Sequence, residues 1–310
     1  MSKKKKRFSH FWFWLALAAM LTAVPNATII RSSVADQDPF LFNALRFSVG
    51  MIVCIPFLLL GLRKFTRKNI KAATLAGLFL AIAVTANVFA MKLSAASYVL
   101  IIALVTPIIM VVLSARMVGE KITPRAVAGI TLAAIGAMTI ILLPIAIHQG
   151  ANFVFYPAAT FFALLGSVAV PLSIIYSRRA NEEGLPFMPL MGYTGLFAIV
   201  VNLACFWLFG ETKEISLTAY NPWMVVYSGI VVAVFVRMLN ILCYEKIGGA
   251  TISALAYLEM LLAILLPIFV LGETLSLPMI VGGILILLGV YVIEHHKSKH
   301  HKHFHRHFNR

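Results

Sequence analysis

The chain has 310 residues, 61% of them hydrophobic and 12% charged, with 26 Lys and Arg against 11 Asp and Glu. A soluble domain carries about 25% charged residues, so a water-soluble fold of this length would lack the polar surface to cover its core. The net charge of +15 does not point to nucleic acid. The basic residues sit in short clusters between apolar blocks and at the two ends, not on a basic, aromatic-interleaved surface, and residues that set membrane orientation account for them.

Ten apolar blocks follow one another at approximately 11–30, 40–60, 71–91, 95–117, 124–147, 154–177, 187–209, 222–243, 250–271 and 277–293. Most are close to the roughly 20 residues that cross a bilayer as a helix. The start, MSKKKKRFSHFWFWLALAAML, has a signal-like charged region but no small-residue cleavage site. It is expected to be a retained first helix that continues without a break through Asn26. Pro124, Pro186 and Pro222 stand near helix starts, where proline is tolerated. Cys54, Cys205 and Cys243 lie far apart inside apolar blocks, without metal-ligand spacing or a disulfide framework, and read as small packing residues.

Threading ten spans from a cytoplasmic N-terminus puts MSKKKKR, LRKFTRKNIK, ARMVGEKITPR, YSRRANEEG, YEKIGG and the C-terminal tail on one side. All Lys and Arg but Arg31, Arg46, Lys92, Lys213 and Arg237 fall in that set. The asymmetry predicts a multi-pass protein of the plasma (inner) membrane with both termini cytoplasmic.

The chain also repeats itself. Gly119-Glu120 aligns with Gly272-Glu273, Gly129 with Gly282, and Gly136 with Gly289. Each half would hold five helices, an odd number, so the halves are expected upside down relative to each other, as in many secondary transporters. The expected fold is therefore all-α integral membrane, with ten transmembrane helices in two inverted five-helix repeats. The repeats are placed at 1–148 and 149–294, and a basic, His-rich cytoplasmic tail at 295–310.

At these elements the sequence resembles the EamA family of the drug/metabolite transporter superfamily over nearly its whole length. The likeness rests on DPFLFNALRF, AMKLSAASYVL, LVTPIIMVVLSARMVGEKIT and the matching AYLEMLLAILLPIFVLGETLS with GGILILLGV after it. It departs in one place: relatives usually have proline after the glutamate of the Leu-Glu pair, where this chain has Met260, which predicts a straighter ninth helix. The resemblance implies a metabolite carrier, often an exporter of amino acids or related solutes, that works by alternating access. It also implies a central cavity lined by helices 1, 3, 4, 6, 8 and 9.

Several polar residues lie inside the apolar blocks. Glu259 sits near the middle of helix 9, where a carboxylate costs roughly 3 kcal/mol on insertion scales. It reads as a protonatable or substrate-facing group, with a packing role as the competing reading. Arg237 on helix 8 lies roughly 9 Å from the cytoplasmic end and Glu259 roughly 15 Å from it, at about 1.5 Å per residue. The two could therefore pair across antiparallel helices, or Arg237 could snorkel to the headgroups. Asn240 shares the face of Arg237. Thr22 and Asn26 share a face of helix 1, and Pro25 could bend it. Asn87 and Thr85 punctuate helix 3. Tyr98 and Tyr257 could contact a substrate or pack. Pro107, Pro171 and Pro267 interrupt helices 4, 6 and 9, either freeing carbonyls and permitting bending near a transport site or standing as merely tolerated kinks. Glu120 and Glu273 are expected at the N-termini of the helices that follow them, and Arg46 as an outer-interface anchor.

The tail holds seven of the nine histidines, with His301, His303, His305 and His307 at alternating positions. Such a tract can bind a transition metal or lie as a polybasic segment on anionic lipid. No nucleophile elbow, phosphate-binding loop or metalloprotease helix appears, so neither an enzyme nor a resident cofactor is expected. The expected partners are a small-molecule substrate, membrane lipids and protons as a coupling ion, with no nucleic acid. Two other functions fit the pattern less fully: a transition-metal or cationic-drug exporter, and a non-transporting scaffold or lipid-processing protein.

Overall fold

The computed structural model describes residues 3–118, 124–146, 156–210, 220–239, 242–243 and 249–304, and among them there is no strand. The helices are α1 (Lys3–Ala23), α2 (Asn26–Val34), α3 (Pro39–Gly61), α4 (Ile70–Leu93), α5 (Ala96–Ala103), α6 (Thr106–Val118), α7 (Pro124–Ala146), α8 (Pro157–Glu182), α9 (Phe187–Phe209) and α10 (Pro222–Val226). A π-helical segment (Tyr227–Val236) continues α10, and α11 (Gly249–Leu271) and α12 (Leu277–Phe304) complete the order. Among the described residues, seven helical runs are long and apolar enough to cross a membrane; shorter apolar runs lie at Val127–Ile140, Leu258–Leu271 and Leu277–Gly289. These runs fall on the apolar blocks marked in the sequence.

Local chemistry explains where helices start and stop. Asp38 opens α3 by accepting hydrogen bonds from the amides of Phe40 (2.8 Å) and Leu41 (2.9 Å), with Pro39 at the first helical position. The first span is not continuous: it divides between Ala23 and Asn26. Pro25 has no N–H to return to the preceding turn, and the Tyr227 hydroxyl donates to the Thr22 carbonyl beside the break. The fourth span likewise divides at Leu104–Val105, just before Thr106 and Pro107. At Pro171 and Pro267 the helices α8 and α11 run on without a break, as tolerated prolines do. Loss of a single hydrogen bond is absorbed where the flanking turns are held by neighbours.

The packing pairs elements of the two halves. α4 lies along α8 and α9, α3 along α9, and α7 along α12. At the α7–α12 crossing a methyl added to Gly136 would meet the Gly282 carbonyl at 2.6 Å, and one added to Gly289 would meet the carbonyl of Gly129. One index falls as the other rises, so the helices cross antiparallel at backbone distance, as small residues allow. The largest core cluster draws on α2, α3, α4, α5, α8 and α9, with Phe42 and Phe206 fully buried. Large apolar side chains such as Leu60, Trp223 and Phe269 point outward, as on a surface that meets lipid.

Candidate functional site

Polar side chains inside an apolar helix bundle must find partners in protein or line water, and among the described residues three such places bear on the candidate residues. The most buried group joins α2, α3 and the π segment. Arg46 lies about 10 Å along α3 from its start and is 6% exposed. Its Nη1 donates to the Ser228 hydroxyl at 3.1 Å, and that hydroxyl donates to Asn26 Oδ1 at 2.8 Å. The guanidinium also lies 5.0 Å from the centroid of the Phe47 ring. Arg46 Nε is buried without a hydrogen-bond partner. Arg46 is therefore not an interface anchor: Gly229 lets the π segment close onto its backbone carbonyl, and its side chain is drawn inward to Ser228. Thr22 and Asn26 face the same element, through Tyr227 and Ser228 respectively. The Thr22 hydroxyl itself donates to the Ala18 carbonyl.

The second group ties α3, α4 and α9. Asn43 Nδ2 donates to the Val84 carbonyl (3.0 Å) and to Asn202 Oδ1 (3.1 Å), and Asn202 Nδ2 donates to the Ala198 carbonyl at 2.8 Å. On α4, Asn87 packs against Gly166 of α8, where no larger residue would fit. The side-chain oxygens of Thr85 and Asn87 are buried without a partner. Tyr98 of α5 is buried and bonds the Thr160 hydroxyl of α8. Thr160 in turn donates to the Tyr156 carbonyl, which makes Tyr98 the donor of that pair. The Tyr98 and Tyr156 rings meet edge to face, 5.6 Å apart.

The third place is α11. Glu259 is half-buried, and Met260 after it packs on the main core. The ion pairs among the described residues are Arg178–Glu182 and Arg179–Glu183, so Glu259 and Arg237 do not pair. Arg237 lies instead within electrostatic reach of the Cys54 thiol on α3. Asn240 lies outside the described residues, as do Glu120, His305 and His307; the side chains of Pro107, Tyr257, His301 and His303 do so as well. Pro171 and Pro267 are buried inside their continuous helices.

At the end of the bundle formed by the starts of α3, α5 and α12, Glu273 takes a partner other than the expected one. Its Oε1 accepts from the Ala96 amide (2.8 Å), and its Oε2 accepts from the amide and hydroxyl of Ser97 (2.9 and 2.7 Å). A carboxylate at a helix N-terminus was the right physics, but the helix is α5, reached across the bundle. Nearby, Lys92 Nζ donates to the carbonyls of Ala35 and Gln37, both at 3.2 Å. Tyr220 donates to the Asp38 carbonyl at 2.7 Å. Burial and the neighbouring Asp38 charge hold the Tyr220 hydroxyl well above the usual phenol range, so it stays a donor.

Sequence reasoning missed Ser228, Asn43 and Asn202. The signal that marked Asn26 and Asn87, a lone polar residue within an apolar block, applies equally to them.

A family model described as EamA-like transporter family matches residues 10–142 and again 157–294. The chain belongs to the EamA-like transporter family. A protein named only as an uncharacterized transporter, from Clostridium kluyveri, is 23% identical over 265 residues, 82% of each chain. A solved crystal structure, 23% identical, covers 91% of this EamA-like chain and 97% of its own with a TM-score of 0.57; that likeness concerns the fold. The chain is thus an all-helical, multi-pass membrane protein of a transporter family.

Proposed function

We propose that the protein is a secondary transporter that carries small metabolites, amino acids among them, outward across the plasma membrane by alternating access. The observation that carries this reading is the reciprocal glycine crossing of α7 and α12. Gly136 is the repeat equivalent of Gly289, and Gly129 that of Gly282. The contacts Gly136–Gly282 and Gly129–Gly289 therefore exchange when the two halves are exchanged, and the helices that carry them run antiparallel. A two-fold axis in the membrane plane has that consequence, and inverted repeats give a carrier two related conformations open to opposite sides. In this reading the three shorter apolar runs complete ten spans. The halves are 1–148 and 149–294, and both termini and the basic tail 295–310 face the cytoplasm. The polar residues of α2, α4, α5, the π segment and α11 line or brace the path, with Glu259 as the proton-exchanging group.

The test is solute flux in proteoliposomes of the full chain, with amino acids, nucleosides, sugars and cationic drugs offered in parallel. Saturable uptake of at least one class, absent from empty vesicles, is expected. Absence of flux for every class would favour a scaffold or lipid-processing role.

A further inference from the structure

The basic end of the bundle contains a feature apart from the polar groups described above. Between the start of α4 and the end of α8 lies a cavity of about 160 Å³, lined by Lys68, Lys71, Ala72, Leu75, Tyr176, Arg179 and Glu183. Three cationic side chains face one carboxylate there, and that carboxylate is already engaged: Arg179 Nε donates to Glu183 Oε1 at 3.3 Å. The cavity therefore keeps a surplus of positive charge.

Its walls are fixed by the local fold. Asn69, fully buried between the two lysines, accepts from the Thr66 amide at 2.9 Å and donates to the Lys64 carbonyl at 3.0 Å. The loop that carries Lys68 is thus held from within. Because Asn69 turns back to the loop, no side chain caps the start of α4, and the positive end of that helix adds to the field. On the other wall the Tyr176 ring stacks on Phe79, 5.7 Å away with planes 10° apart, which fixes the phenol beside the cations. Deeper along α4 the lining turns apolar at Ala72 and Leu75, and one turn further Leu78 is exposed on the outer surface. Cations above and an apolar run below match a ligand that is anionic at one end and hydrocarbon at the other.

We propose that this cavity is a binding site for the phosphodiester headgroup of an anionic phospholipid, with the acyl chains lying along α4. The lysines and Arg179 hold the phosphate oxygens, and the Tyr176 hydroxyl offers a further donor. Basic pockets between membrane helices at a headgroup boundary have the charge and position to retain such lipids. The site is separate from the polar groups of the transport path and does not rest on them.

The experiment uses the full chain in a neutral detergent. Native mass spectrometry counts retained dioleoyl phosphatidylglycerol against dioleoyl phosphatidylcholine. Wild type should retain the anionic lipid in preference. Lys68→Gln with Lys71→Gln should weaken its retention about tenfold or more, whereas Lys68→Arg with Lys71→Arg should keep it. The last pair preserves the charge and guards against a folding defect. Arg63→Gln with Arg67→Gln removes the same charge at the same end of the bundle but outside the cavity, and should leave retention unchanged. Equal losses in the two glutamine pairs would overturn the site in favour of general attraction to a basic surface. Equal retention of both lipids would overturn it as well. Displacement of the phosphatidylglycerol by millimolar inorganic phosphate or glycerol 3-phosphate would overturn the lipid assignment and leave a soluble phosphate as the occupant.

Discussion

The fourth span and α11 occupy equivalent places in the two halves, yet they are built differently. In the first half the helix breaks at Leu104–Val105, and short-range bonds such as Val105 N to Ile102 O (3.1 Å) and Ile108 N to Val105 O (3.0 Å) carry the chain past Pro107. In the second half α11 runs unbroken through the equivalent position, Met260. Thr106 in the first half has Glu259 as its counterpart, so the half without the break carries the carboxylate. The glycine crossing is shared by both halves, whereas at this position the first half has the helix break and the second the carboxylate. In the proposed alternating carrier the broken fourth span would supply the bend and Glu259 the exchangeable proton, so different halves would supply them.

The comparison can be broken most severely at Met260. Met260→Pro would impose on α11 the break that the fourth span already has, and an interior proline costs about 3 kcal/mol where no flexible turn awaits it. Thermal unfolding in detergent should show the loss. A melting temperature equal to wild type would mean that α11 is already prepared to bend and that the two halves differ only in sequence.

The shared part is probed by its symmetry. Gly136→Val and Gly289→Val place side chains against equivalent carbonyls on opposite helices. Each should cost about 2 kcal/mol through overpacking, and the two losses should agree within about 0.5 kcal/mol. Folded yield and melting temperature measure both. A large loss in one and none in the other would contradict a two-fold relation at this crossing. The smallest effect is expected at Glu273. Glu273→Gln keeps the shape but gives up the charge at the α5 N-terminus, worth about 1 kcal/mol, and should loosen that end of the bundle without unfolding it. Faster amide exchange at Ala96 and Ser97, with little change elsewhere, is the expected signature.

The apolar helices were legible in the sequence because membrane spans are read from length and hydropathy, whereas the glycines were read only as a repeat and not as the contact between α7 and α12. Partners across the bundle were not legible. Helical spacing placed Thr22 and Asn26 together but could not show that the π segment would meet both. Arg46 looked like a boundary residue because its distance from the helix start says nothing about which way its side chain is drawn. Proline alone did not separate Pro25 and Pro107, where helices break, from Pro171 and Pro267, where they continue. The ring and the missing N–H are the same at all four positions, so the outcome is set beyond the residue itself. Glu273 teaches the same lesson: the preference of a carboxylate for a helix N-terminus is local physics, but the choice of helix is made by the fold.

The proposed division of labour between the halves stands or falls on Glu259. It is half-buried within α11 and makes no ion pair with Arg237 or any other described residue, and in the proposed cycle it would be the group that exchanges a proton. The decisive measurement is substrate flux in proteoliposomes with and without an imposed pH gradient, comparing wild type with Glu259→Gln at matched amounts of folded protein. Glu259→Gln should lose the gradient-driven component and retain solute exchange at zero gradient. Flux that remains fully responsive to the gradient in Glu259→Gln would contradict the coupling role and leave the residue a packing feature of α11.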